Sequence, residues 1–171
     1  MRERTGLDGQ PSGMRTAFVG ISLGRVSVVD ASDLPLISGH RWWVLRNRTC
    51  YAITHIHRDG KRTTISMHRL IMGAQPGQFI DHRDGDGLNN VRSNLRFATC
   101  QQNAMNARQK NHSSQFKGVS WRKDRGHWTA KIRIGCRDKF LGCFHEETEA
   151  AKAYNLAARQ IFGKFARLNQ F

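Results

Sequence analysis

Residues 80–103 read Ile-Asp-His-Arg-Asp-Gly-Asp-Gly-Leu-Asn-Asn-Val-Arg-Ser-Asn-Leu-Arg-Phe-Ala-Thr-Cys-Gln-Gln-Asn, and no other stretch constrains the fold as much. Phe79-Ile80 is a strand-like lead into Asp81 and His82, and a loop rich in Gly, Asp and Asn follows. These residues suit the tight and left-handed backbone of turns. Leu95-Arg96-Phe97-Ala98 is a second short apolar run. Thr99 then has Gln102 three residues on, the spacing of a capping box in which each side chain satisfies a backbone N–H at a helix start. The pattern predicts a hairpin followed by a helix, with Asp81, His82, Asn94 and Asn103 brought near one another.

The residue types suit one kind of chemistry. Phosphodiester hydrolysis needs an activated water, a Lewis acid on the phosphate and help for the leaving oxygen. His82 can take a proton near neutral pH. Asp81 is a hard oxygen ligand, and Asn103, on the first turn after Thr99, can direct its amide oxygen at a metal held by Asp81. Neighbours alternate across a regular strand, so Asp81 and His82 share a site only where the strand ends or twists, as Gly85 and Gly87 allow. Asp84 and Asp86 read as turn residues. An EF-hand is excluded: with Gly85 or Gly87 at loop position six, Ile80 or His82 falls at position one and no Glu at position twelve.

Charge narrows the partner. The 171 residues carry 28 Lys and Arg against 13 Asp and Glu, a net charge of +15. The excess is even along the chain, with 16 basic and 8 acidic residues in 1–111 and 12 and 5 in 112–171. Both parts therefore face a polyanion, most simply nucleic acid. Cys50, Cys100, Cys136 and Cys143 form no C-x-x-C pair, so they read as reduced thiols of an intracellular protein with no structural zinc. No apolar region follows Arg2 and Arg4, so no signal peptide is expected, and no run approaches membrane-spanning length.

Before the central stretch, residues 1–16 form a polar leader and residues 17–29 hold short strand-like runs broken at Gly20 and Gly24. Ser32 suits the N-cap of a short helix with Pro35 in its first turn. Strands are expected over 41–45, 50–57 and 62–66, with turns at Asn47-Arg48 and Asp59-Gly60. His55 and His57 share a strand face, where solvation is the simpler role than phosphate contact. Residues 67–72 form a short helix ended by Gly73; His68 there either points toward the site or is a satisfied helix-start histidine, the reading favoured here.

After Asn103 the helix fades into a polar linker, residues 109–115. Beyond it, strands are expected over 117–123, 128–134 and 139–144. In the middle one Trp128, Ala130, Ile132 and Ile134 share an apolar face, and Thr129, Lys131 and Arg133 a basic one. An alanine-rich helix follows over 147–162, acidic in its first turn, basic in its last and closed by Gly163.

Two resemblances bear on function. Asp81-His82-x-Asp84-Gly85-Asp86-Gly87-Leu88-Asn89-Asn90, then Asn94-Leu95-Arg96 and Asn103, resembles the HNH nucleases of the ββα-metal fold, closest to phage and intron-encoded homing endonucleases, over about residues 66–106. The resemblance implies that His82 is the general base. It makes Asp81 and Asn103 ligands of one Mg²⁺ or Mn²⁺, and Asn94 the middle Asn that pins the loop and orients the site. Lys117-Gly118-Val119-Ser120, residues 128–133, Leu141-Gly142-Cys143-Phe144, residues 149–154 and Leu168-Asn169 resemble the AP2/ERF DNA-binding domain over about 116–169. That family lays a three-stranded sheet in the major groove. By strand alternation Ser120, Arg122, Lys131 and Arg133 face outward here, and Arg122 and Arg133 suit bidentate guanine contacts. Lys117, Lys123 and Lys139 suit phosphates. Where plant members carry further sheet arginines this chain has Ser120, so their GC-rich site does not transfer. Trp121 and Trp128 read as core.

The expectation is therefore an α+β chain. A small N-terminal sheet leads into a ββα-metal module (17–108), and a linker leads to an AP2-like sheet packed on one helix (116–171). Its expected activity is metal-dependent hydrolysis of phosphodiester bonds in double-stranded DNA by a monomer or weak dimer; a monomer with one site would nick, and two-strand cutting would need two protomers or two binding events. No membrane partner and no small-molecule cofactor are expected. The location would be cytoplasmic, in a bacterial host if the chain is phage-encoded. The alternative is a non-catalytic, sequence-specific DNA-binding regulator.

Overall fold

Residues 15–46, 49–58, 60–108 and 113–171 are described in a computed structural model of the chain. Most of the expected leader, the Asn47-Arg48 turn, Asp59 and linker residues 109–112 lie outside them. The architecture is α+β, several small antiparallel sheets with few helices, and it groups into two compact units. Of the described residues, those up to Gly73 together with Asp86–Leu95 make one, and those of Ala74–Gly85 and Arg96–Phe171 the other. Packing thus follows a different line from the sequence modules.

In the first unit, β1 (Thr16–Ile21) pairs antiparallel with β2 (Arg25–Asp30). A short helix, α1 (Leu34–Ile37), has Pro35 in its first turn, but it follows a 3-10 turn at Ala31–Asp33 and no side chain caps it. Ser32 is therefore not the cap, because the chain enters the helix already turning. Then β3 (Trp43–Arg46), β4 (Cys50–Arg58) and β5 (Lys61–Ser66) form an antiparallel sheet in chain order, and α2 (Met67–Ile71) closes the run.

This unit grips the loop 86–95. Ser27 and Asn90, both fully buried, meet through the Asn90 amide donating to Ser27 Oγ at 2.7 Å. Val28 N donates to the Leu88 carbonyl at 2.9 Å and Asn90 N to the Val28 carbonyl at 2.7 Å, so the loop runs beside β2 like a parallel strand. Arg92 forks onto the Asp33 carboxylate, and its backbone N–H donates to Asp30 at 2.7 Å. Gly87 is required by close approach: a Cβ there would lie 2.3 Å from the Cys50 carbonyl oxygen.

In the second unit, β6 (Phe79–His82) pairs with β7 (Leu95–Ala98), and α3 (Cys100–Asn106) follows. The Thr99–Gln102 capping box forms as its spacing predicts, with both reciprocal bonds present. Such a cap stabilises a helix by about 1 kcal/mol. Strands β8 (Val119–Arg122), β9 (His127–Ile134) and β10 (Arg137–Phe144) form an antiparallel sheet in the order β10-β9-β8. Helix α4 (Glu147–Phe162) packs Ala150, Ala151, Tyr154, Ala157 and Ala158 against Val119, Ala130 and Ile132. Small side chains let helix and sheet approach closely. The same closeness makes Gly118 obligatory: its φ is +78°, and a Cβ would lie 2.1 Å from the Tyr154 ring.

The four cysteines are free, and no helix among the described residues is long and apolar enough to cross a membrane.

Candidate functional site

Strand β6 ends on Asp81 and His82, which are only 8% and 5% exposed. A carboxylate so placed needs partners, and Asp81 has them. Arg96 on β7 brings Nε to Oδ2 at 2.8 Å and a terminal nitrogen to the same oxygen at 2.6 Å. The Asn106 amide lies 3.0 Å from Oδ1 and 3.1 Å from Oδ2, and also donates to the His82 carbonyl at 2.7 Å. One side chain of α3 thus ties both residues of the β6 end to the helix. Arg96 is held in turn by the Phe165 ring, 4.0 Å below its guanidinium, and by the Lys164 carbonyl.

Asn103 sits on the first turn of α3, where its backbone N–H closes the first helical bond to the Thr99 carbonyl at 3.0 Å. Its side-chain oxygen is buried and has no hydrogen-bond partner. Leaving a buried acceptor unsatisfied costs about 1–3 kcal/mol, so this atom calls for a donor or a cation. Asn103 and Asn106 are three residues apart and lie on one side of α3, and Asn106 reaches Asp81. An ionised carboxylate has roughly four acceptor directions. Arg96 occupies Oδ2, whereas Oδ1 receives Asn106 and keeps a second lone pair. Asp81 and Asn103 each carry a hard oxygen of the type that small divalent cations take as ligand. Among the described residues no group of three or more His, Cys, Asp or Glu is placed to hold a metal ion.

Asn94 belongs to the first unit, where its amide donates to the Asn89 carbonyl at 2.8 Å across the loop.

On the C-terminal sheet, register gives the face of each expected residue. Ser120 pairs with Thr129, Phe140 with Lys131 and Asp138 with Arg133, so these side chains share the face away from α4 with Arg122. Ser120 Oγ lies 3.0 Å from Thr129 Oγ1. Arg122 is forked onto Asp124 at 3.0 Å, and Arg133 onto Asp138 at 2.7 and 3.3 Å, with Lys131 3.5 Å from Asp138. These hydrogen bonds hold both carboxyls below the usual carboxylate range. Lys123 is exposed at the end of β8.

Two expected phosphate contacts sit elsewhere. Lys139 pairs with the buried Ile132, which puts it on the α4 side of the edge strand. Lys117 donates Nζ to the Met105 carbonyl and, at 2.7 Å, to the Ala107 carbonyl, so it caps the C-terminal end of α3 rather than standing on the outer face. Burial, with Arg167 nearby, pushes its pKa down to about 8. The expected core tryptophans meet edge to face, 5.1 Å apart, and Trp128 packs on the core.

No family model matches the sequence. An uncharacterised HNH endonuclease of Acanthamoeba polyphaga mimivirus is 32% identical over 159 residues, 90% of this chain and 79% of the viral protein. The chain belongs to the HNH endonuclease family. Protein 3.8 of Escherichia phage T7 is similar to this HNH chain at 33% identity over 93 residues, 53% of the chain and 75% of the phage protein. An AP2-like ethylene-responsive transcription factor of Arabidopsis thaliana is 41% identical over 59 residues, 33% of the chain but only 10% of the plant protein.

Sequence reasoning missed two residues that hold the candidate site together, Arg96 and Asn106. Asn106 was findable, since its spacing from Asn103 places a second amide on the same helix face. Arg96 reads as one more cation in a basic chain, and only strand pairing shows which carboxylate it meets.

Proposed function

We propose that this HNH chain is a metal-dependent DNA endonuclease that hydrolyses phosphodiester bonds, with its duplex held by the AP2-like sheet. The observation carrying this reading is the buried, unbonded Asn103 oxygen on the helix that Asn106 ties to Asp81 and His82. Asp81 and Asn103 would hold one Mg²⁺ or Mn²⁺; when bound, the cation supplies a Lewis acid for the phosphate and the leaving oxygen. His82 acts as general base, taking a proton from the water whose oxygen attacks phosphorus. Asn106 fixes the His82 backbone and Asp81 together. Asn94 acts one step removed, through the loop it pins.

In this reading residues 17–108 form the nuclease module and residues 116–171 the DNA-holding module. Arg122 and Arg133 exchange Asp124 and Asp138 for guanine edges, while Ser120 and Lys131 line the same face and Lys123 meets phosphate. The products would carry 5′-phosphate and 3′-hydroxyl ends. One chain with one site would nick, and cutting both strands would take two chains or two binding events.

Supercoiled plasmid tests this directly. The native chain with Mg²⁺ or Mn²⁺ should convert it to the relaxed form, and His82→Ala should not. A native chain that binds duplex but relaxes no plasmid under any divalent metal would leave the non-catalytic DNA-binding regulator as the reading.

A further inference from the structure

The second unit carries a cleft of about 890 Å³ that neither the metal-site residues nor the outward sheet face accounts for. Arg83, the residue after the proposed base, lines it with Arg108, Lys117, Arg159 and Arg167, and Asp84 is the acidic side chain among its lining residues. None of the four arginines has a carboxylate ion-pair partner among the described residues.

Two guanidinium groups converge at one point in it. A Cβ on Gly85 would lie 2.7 Å from Arg167 Nη1 and 3.5 Å from Arg108 Nε. Arg167 is fixed by donating to the Asp84 carbonyl at 2.8 Å. Burial and the charge of Arg108 push the Arg167 pKa down, so these cations sit close enough to oppose one another. Asp84 and Asp81 offset part of this repulsion, but the cations outnumber the carboxylates lining the cleft and none is ion-paired among the described residues, which suits it to an anion. Guanidinium groups match phosphate oxygens in both geometry and charge.

We infer that this cleft is a phosphate-backbone clamp, holding the strand of duplex DNA that flanks the phosphate presented to His82. The inference deepens the proposed function and rests on its choice of DNA as substrate. Arg108 and Arg159 are exposed and stand outside the proposed metal site and sheet face. Removing two phosphate contacts lowers the dependence of log affinity on log salt concentration by about 0.9 for each.

The test is duplex affinity measured at several salt concentrations in EDTA, so that cleavage plays no part. The double variant Arg108→Gln with Arg159→Gln should bind with a slope lower by about 2, and the separate variant Arg83→Gln by about 1. A control with the same charge loss, Arg46→Gln with Lys61→Gln in the first unit, should keep the native slope. Unchanged slopes in the cleft variants, or an equal loss in the control, would overturn the clamp. Plasmid relaxation separates the two readings. Relaxation by the native chain with unchanged slopes removes the clamp alone. A slope loss in a chain that never relaxes plasmid keeps the clamp and removes the nuclease.

Discussion

At the scale of single residues, Asp81 has conflicting demands. As the proposed ligand of a hard cation it would serve as a carboxylate, yet it is almost fully enclosed. Arg96 resolves this by neutralising one oxygen, and Asn106 orients the other. A buried pair of this kind is costly to break from one side, because the remaining charge is left uncompensated. Arg96→Met should therefore destabilise the fold by about 3–5 kcal/mol in urea unfolding. Asp81→Leu combined with Arg96→Met should cost less than Arg96→Met alone, since no buried charge is stranded. A single variant as stable as the native chain would contradict the pair's assigned role. Asn103 is the opposite case, with a buried acceptor left without a partner where Asp81 has several.

At the scale of elements, the most legible were those whose signals are local. The capping box at Thr99 and Gln102, the alternation along β9 and the alanine-rich α4 ended at Gly163 each occupy the span their residues predict. What could not be read are contacts that depend on where distant segments arrive. Lys117 resembles any sheet lysine until its ammonium is seen on the last carbonyls of α3. The shift between Phe140 and Gly142 in the β10 register leaves the side of each cation on that strand to be settled by pairing alone. The resulting faces make a prediction about the sheet. Arg133→Ala should relax sequence preference among duplexes, whereas Lys139→Ala, on the α4 side, should leave preference unchanged. Selection from a randomised duplex pool measures both, and equal effects would place Arg133 on the backbone instead of the bases.

At the scale of the whole molecule, the loop between β6 and β7 is the least expected feature. Its glycines and asparagines announced a turn, but the loop packs with the first unit, against β2, through Ser27, Val28 and Asn90. The N-terminal sheet thereby acquires a role that its own residues did not suggest: it fixes the segment joining the two strands of the candidate site. The even spread of positive charge also gains a structural counterpart, with arginines lining both the outward sheet face and the cleft beside Arg83. The proposed activity depends above all on Asp81 and Asn103 together holding a cation. Mn²⁺ binding followed by electron paramagnetic resonance, without DNA, measures this. The native chain should bind one Mn²⁺, and Asn103→Ala should bind it about tenfold or more weakly while keeping the native melting curve and duplex affinity. Equal Mn²⁺ affinity in the two proteins would contradict a cation site that includes Asn103.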